Sequence, residues 1–389
     1  MRIAVIGSKG LPPKQGGIEH HCAEVYPRMV ARGHLVDLWA RSSYTGLTWR
    51  DPCEFEGVRV VSFPGSGLRG IDALISSALG ATASSLLRYE IVHFHALGPS
   101  LWTRLPHLAS SSKIVVTCHG LDWQRSKWGK TSSHLIRLGE QAAVQFAHRI
   151  VVVSEELQHY FLKEYGRETI YIGNAPARYT EFDPDFSYGT SLGLDRGRYI
   201  LFLGRLVPEK CPDLLIESFQ KLQSAGWKLV LAGGDSDAPA FSDHLLNLAA
   251  GNPNIVFTGE LRGKRLAEIM RNAGLFVLPS RLEGQPLALL EAMRENIPVL
   301  ASDISVHQKL IERDRGILFR ANDIKDCLSK LDWAIHHLPE LSTMAENAQT
   351  YVKTHCDWDQ ITTDYLNIYR EITASADSSA LENCNRVAI

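Results

Sequence analysis

The chain has 389 residues, 45% hydrophobic and 22% charged, with 41 basic against 43 acidic side chains. That length exceeds one ordinary hydrophobic core and points to two domains, the composition is that of a globular protein, and the near-neutral balance argues against a nucleic-acid partner. The seven cysteines, from Cys22 to Cys384, are scattered and never form a CxxC, so neither a disulfide framework nor a zinc site is indicated and a reducing cytoplasm is expected.

Met1-Arg2 leads directly into the strand-like run RIAVI, without the charged leader and apolar stretch of a signal peptide, so the mature chain is expected to start there. The loop GSKGLPPKQGGIEHH follows, then a helical pattern. Paired glycines opening a helix let backbone N–H groups approach a phosphate, and the helix end adds partial positive charge. Gly16 and Gly17 are therefore candidate phosphate contacts, with Lys9 and Lys14 as helpers; a simple tight turn is the plainer alternative. Gly7 and Gly10 lack GxGxxG spacing, which disfavours a nicotinamide enzyme. Pro27 inside the helical pattern predicts a kink.

The segment from Ile71 to Leu87, IDALISSALGATASSLL, falls short of the roughly 20 strongly apolar residues of a membrane span and contains Asp72. It reads as a packed helix, the other reading being a helix that lies with Arg69 and Arg88 near a lipid-linked acceptor at a membrane surface. The runs EIVHF and KIVVTCH follow. His93 and His95, two apart on a strand, share a face and read either as cleft or acceptor-side residues or as satisfied core histidines, with no third metal ligand apparent. His119 ends its strand at the C-terminal edge, where doubly wound sheets meet ligands. Glu155 and Glu156, after RIVVVS, either touch a ligand or serve as ordinary helix-start acids.

Between about Ile172 and Arg198 the sequence is poor in aliphatics and rich in Gly, Pro, Asp and Ser, which predicts a linker. Beyond it YILFLG, WKLVLAGG, NIVFTG, GLFVLPS and IPVLAS alternate with helical patterns. Continuous apolar strands separated by helices predict parallel sheets covered on both faces. The fold class is thus α/β, with two doubly wound Rossmann-like domains and the ligand expected in the crevice between them. The expected boundaries are 1–180 and 190–356, a helix over 357–373 with an apolar stripe to bury, and a flexible tail over 374–389.

Two phrases of the second half carry the chemistry. Gly204 and Arg205 close a strand in GRLVPEK, and Lys210 precedes a helix; a planar guanidinium and an ammonium suit a diphosphate. EGQPLALLE places Glu283 in a loop, Pro286 in a first helical turn and Glu291 inside the helix. A carboxylate accepts both hydroxyls of a vicinal diol such as a ribose, so the two phrases together indicate a sugar-nucleotide site. Asp235-Ser236-Asp237 imitates the DxD metal motif of GT-A glycosyltransferases, but a polar loop is the favoured reading of it.

GGIExH followed by RGHxV, GRLxPEKxxDLLIxxF and EGQPLALLEAM together resemble the retaining GT-B glycosyltransferases of family four. The opening IGSKGLPPKQGGIE is similar to a bacterial, rhamnosyltransferase-like subset associated with surface-polysaccharide assembly. The resemblance implies the GT-B fold with a final helix crossing back to the first domain. It also implies transfer of a sugar from a nucleoside-diphosphate sugar to a glycan or lipid-linked acceptor without metal or other cofactor, in the cytoplasm or peripherally at the inner membrane face. In it Arg205 and Lys210 hold the donor diphosphate, Glu283 and the adjoining backbone at Gly284, Gln285 and Leu287 address the donor sugar, His119 contacts that sugar, and Glu291 takes the ribose hydroxyls. The sequence departs from the family at Cys211, where glycine is common, and at Gln285-Pro286, where a glycine and a different small residue are usual. A sugar-nucleotide epimerase, a glycoside hydrolase using Glu283 and Glu291, and a non-catalytic nucleotide-sugar sensor or scaffold are the competing readings.

Overall fold

The computed structural model describes residues 1–387 except 15, 65–70, 126–127, 178, 180, 224–225, 235–238 and 313, and only the backbone of 239 and 375–387. Arg69 and the Asp235-Ser236-Asp237 motif thus lie outside the described residues. The backbone divides into two compact units, Met1–Asn174 with Asp357–Ile389, and Ala175–Cys356.

The first unit holds β1 (Arg2–Ile6), α1 (Gly17–Ala31), β2 (Leu35–Arg41), α2 (Ser42–Thr45), β3 (Cys53–Phe55), β4 (Val58–Phe63), α3 (Ile71–Leu86), β5 (Ile91–His95), α4 (Arg104–Ala109), β6 (Lys113–Cys118), α5 (Lys130–Phe146), β7 (Arg149–Val152), α6 (Glu155–Tyr165) and β8 (Ile170–Tyr171). Its eight strands run in the order β3-β4-β2-β1-β5-β6-β7-β8, parallel except for the β3–β4 pair at the edge. The Val- and Ile-rich strands are buried along nearly their whole length, as a sheet covered on both faces requires. The strand order reverses between β1 and β5, so the loops after those strands open at a topological switch point.

The second unit holds α7 (Ser187–Ser191), β9 (Tyr199–Leu203), α8 (Pro212–Lys221), β10 (Lys228–Ala232), α9 (Pro239–Ala249), β11 (Ile255–Gly259), α10 (Gly263–Arg271), β12 (Leu275–Leu278), α11 (Leu287–Arg294), β13 (Val299–Ser302), α12 (Ser305–Ile311), β14 (Ile317–Phe319), α13 (Ile324–His336) and α14 (Leu338–His355). Its six parallel strands run β11-β10-β9-β12-β13-β14, with the order reversing between β9 and β12. The loops carrying Arg205, Lys210 and Glu283 leave those two adjacent strands.

The last helix, α15 (Trp358–Val387), belongs to the first unit, where it packs on α1 and β6. Its apolar stripe is buried there, with Ile361, Tyr365, Leu366, Ile368 and Tyr369 all under 8% exposed. The tail expected over 374–389 falls on residues whose side chains, from 375 onward, lie outside the described set. One local expectation is revised. Most of the stretch read as a linker packs into the second unit, because Phe186 is buried and stacks on Tyr199 while Gly189 N–H donates to Glu268 at 2.8 Å. Helix α1 runs through Pro27 to Ala31.

Candidate active site

In the second unit GRLVPEK and the loop before α11 are tied by a backbone bond, Arg281 N–H to the Glu209 carbonyl at 2.9 Å. Lys210 Nζ donates to Glu283 Oε1 at 2.6 Å, and Ser280 Oγ donates to the same oxygen at 2.7 Å. Both charged side chains are mostly buried, 15% and 12% exposed. Burial opposes the Glu283 carboxylate, but the Lys210 ammonium with its hydrogen bond, His307 and Ser280 together outweigh it and hold the carboxyl below its ordinary value. Cys211 adopts φ 49°, the left-handed region glycine prefers, so the family's glycine has a backbone reason and the cysteine keeps the turn.

Helix α11 starts at Leu287 with Pro286 as its N-cap, one position later than expected, and no side chain caps it. The N–H groups of Leu289 and Leu290 both bond the Pro286 carbonyl, at 3.2 and 3.3 Å, and Gly284 and Gln285 lie in the loop just before the helix. Glu291 lies one turn into the helix, where Tyr179 Oη donates to its Oε2 at 2.8 Å. Burial dominates its titration and raises it to about 7, against the hydrogen bonds from Tyr179 and the Ala177 backbone and the charge of Arg294. Sequence reading missed Tyr179 and His307. The latter is fully buried, its Nδ1 bonds the Ser302 carbonyl at 2.9 Å, and its Nε2 meets no hydrogen-bond partner. A histidine five residues past the end of β13 was the only available signal.

In the first unit Gly16 is the N-cap of α1 at φ 100°, and Gly17 is its first residue. Glu19 reaches back to accept the Lys9 N–H at 2.9 Å, and the positive φ of Gly16 is the reason this turn favours glycine. Lys14 Nζ bonds the Tyr44 carbonyl at 2.6 Å and Lys9 Nζ lies 6.0 Å from the Tyr44 ring centroid, so both lysines are engaged with α2. Glu155 and Glu156 stand exposed in the first turn of α6, whose N-cap Ser154 accepts the Leu157 N–H.

His93 and His95 belong to the core, not to a cleft. His93 bonds Tyr26 and Tyr369 through Nδ1 at 2.8 and 2.6 Å and Thr117 through Nε2 at 2.8 Å. His95 bonds Tyr26 through Nε2 at 2.5 Å and His119 Nε2 through Nδ1 at 2.9 Å. Burial drives all three imidazoles well below their ordinary 6.5, so they are neutral, and His119 is the member of this relay that retains some exposure. His21, of the phrase GGIExH, joins them edge-on and bonds Asn174 Oδ1 at 2.8 Å, so Nδ1 carries its proton and the buried Nε2 is left as a lone pair without a partner. Among the described residues no group of His, Cys, Asp and Glu forms a metal-binding cluster.

The family described as Glycosyl transferases group 1 matches residues 191–351, and that described as Glycosyltransferase Family 4 matches residues 15–174. The chain is a glycosyltransferase of the GT-B type. This transferase is 26% identical to the D-inositol 3-phosphate glycosyltransferase of Gordonia bronchialis, over 95% of its own length and 88% of that protein's. It is 27% identical to an Escherichia coli UDP-Gal:alpha-D-GlcNAc-diphosphoundecaprenol alpha-1,3-galactosyltransferase, over 63% of this chain and 66% of that one. In fold it is similar to the sucrose-phosphate synthase of Thermosynechococcus elongatus, with a TM-score of 0.83 at 18% identity over 96% and 99% of the two chains.

Proposed function

We propose that the chain transfers a sugar from a nucleoside-diphosphate sugar to a glycan or lipid-linked acceptor hydroxyl, with retained anomeric configuration and without a metal, in bacterial surface-polysaccharide assembly. The observation that carries this reading is the junction of β9 and β12, where the mostly buried Lys210–Glu283 pair lies in the loop pair that also holds Arg205, before the uncapped α11. As the glycosidic C–O bond lengthens, negative charge grows on the leaving diphosphate, and Arg205 and Lys210 stabilise it there. Glu283 holds one ammonium proton of Lys210 and leaves two for phosphate oxygens. The amides at Gly284, Gln285 and Leu287 face the donor sugar with Glu283, and Glu291 exchanges the Tyr179 hydroxyl for those of the ribose. The amides of Gly16 and Gly17 approach the phosphates, and the neutral His119 addresses the sugar. The UDP-Gal donor and diphosphoundecaprenol-linked acceptor of the Escherichia coli relative support this assignment.

One observation favours a second reading. Opposite titration shifts at Glu283 and Glu291 are what the nucleophile and acid of a glycoside hydrolase would show. Glu283 is, however, neutralised by Lys210, which weakens it as a nucleophile. The test is thermal stabilisation by uridine, guanosine, thymidine and adenosine diphosphates, with and without chelator, repeated on Arg205→Ala. A base-selective, chelator-insensitive rise that Arg205→Ala abolishes is expected, together with about a hundredfold loss of transfer, roughly 3 kcal/mol. No rise with any base, or free sugar as the sole product, would overturn the transferase site.

A further inference from the structure

We propose that a one-way chain of buried hydrogen bonds fixes His119 as its Nδ1–H tautomer, so that it meets the donor sugar as a hydrogen-bond donor alone. The chain runs through the first unit from α15 to the end of β6. Tyr365 Oη lies 3.1 Å from Thr117 Oγ1, which lies 2.8 Å from His93 Nε2. His93 Nδ1 meets the hydroxyls of Tyr26 and Tyr369 at 2.8 and 2.6 Å, Tyr26 Oη meets His95 Nε2 at 2.5 Å, and His95 Nδ1 meets His119 Nε2 at 2.9 Å. Every member before His119 is at most 1% exposed, so the protein itself must satisfy each polar group.

Counting hydrogens gives the direction. Burial holds the three imidazoles neutral with one N–H each, and every hydroxyl has one hydrogen to place. Thr117 and Tyr365 bring two hydrogens, and their mutual contact takes one. Among the described residues the other finds its acceptor at His93 Nε2, which puts the His93 proton on Nδ1. The same count repeats one step on. Tyr26 and Tyr369 bond each other as well as His93, so one of their two hydrogens is taken between them; with His93 Nδ1 already a donor, the other goes to His95 Nε2. His95 then donates from Nδ1 to His119 Nε2, and the His119 proton is left on Nδ1. Reversing the chain strands a buried hydroxyl hydrogen without an acceptor, at its full desolvation penalty.

His119 retains some exposure and its Nδ1 lies outside the chain, so the ring offers the site an N–H and no lone pair. It can hold a hydroxyl, ring or carboxylate oxygen of the sugar, but it can neither take a proton as a base nor bind the ammonium of an amino sugar. Tyr365, Thr117, His93, Tyr26 and His95 act through it as positioning residues.

The proposal rests on the reading of His119 as a donor-sugar contact, yet its test needs no ligand, so a wrong tautomer overturns the proposal and leaves the transfer reading standing. Full-length chain carrying 15N-labelled histidine is read by long-range 1H–15N correlation, with His119→Gln locating the His119 signals. A protonated Nδ1 and an unprotonated Nε2 are expected, opposite to the tautomer that free histidine prefers in water. Tyr26→Phe removes the donor to His95 Nε2 and is expected to shift the His119 Nδ1 resonance toward the unprotonated range. Tyr365→Phe deletes an oxygen from the same core but leaves the Thr117 hydrogen its acceptor at His93, so the His119 signals are expected to stay in place. An unprotonated Nδ1 in wild-type His119 would overturn the proposal, whether or not the core variants fold. So would an unchanged His119 spectrum in folded Tyr26→Phe, or an equal shift in Tyr365→Phe, which would mark a loosened core in place of a directed chain.

Discussion

Around β5 and β6 of the first unit, His93, His95, Tyr26 and Tyr369 stay neutral and exchange hydrogen bonds among themselves, while at the junction of β9 and β12 Lys210 and Glu283 stay ionic and Glu291 sits close to half protonated near neutrality. The first arrangement satisfies polar groups with no charge to desolvate, which suits a fixed scaffold beneath His119. The second keeps charge in a mostly buried place, where an incoming anion has strong effect.

The contrast breaks first at Lys210. Lys210→Ala leaves the Glu283 carboxylate without its ion partner and is expected to cost about 3 kcal/mol, read from the urea midpoint, besides lowering transfer. The double variant Lys210→Met, Glu283→Gln should recover most of that stability and none of the transfer; simple addition of the single losses would show that the pair is not coupled. Next comes the neutral cluster. His93→Ala removes a hydrogen-bond partner from each of the hydroxyls of Tyr26, Tyr369 and Thr117 and is expected to cost about 2 kcal/mol, while the melting-temperature rise on adding nucleoside diphosphate is kept. Loss of that rise at unchanged stability would make His93 part of the binding machinery.

The smallest effect concerns pH. With Glu291 titrating at about 7, nucleoside diphosphate binding through its carboxylate should weaken about tenfold between roughly pH 8 and 6, and Glu291→Gln should flatten that slope. Stability has the opposite sign. Because the folded value lies above the ordinary 4.5, the stabilisation from Glu291 is complete below that value and is lost as pH rises through about 7. A wild-type binding slope no steeper than that of Glu291→Gln would remove Glu291 from the ribose assignment.

Strand runs rich in Val and Ile made the parallel sheets legible, and the phrases GRLVPEK and EGQPLALLE stood out in the sequence. That their loops are neighbours was not legible, because β10 and β11 intervene in the chain and only the strand order returns β12 to the side of β9. The shared face of His93 and His95 followed from the two-residue strand period, but their partners come from α1 and α15, at opposite ends of the sequence. Tyr179 lies in a stretch with no hydrophobic period, so nothing marked it as the donor to Glu291. For α3 the packed helix was legible and its inward face was not, since a bulky Trp39 on β2 decides which face can turn inward.

Helix α15 gives the first unit both ends of the chain, with the second unit encoded in between. During synthesis β1 to β8 emerge long before Tyr365 and Tyr369, so until the whole of the second unit has been translated the sheet lacks its last cover and His93 lacks one hydroxyl partner. The second unit has all its strands at hand and can close on the ribosome, whereas the first must wait in a sticky, half-covered state. Ribosome stalling late in the message, or a premature stop before codon 358, should therefore yield chains that chaperones retain through their first unit, although most of that unit was made first.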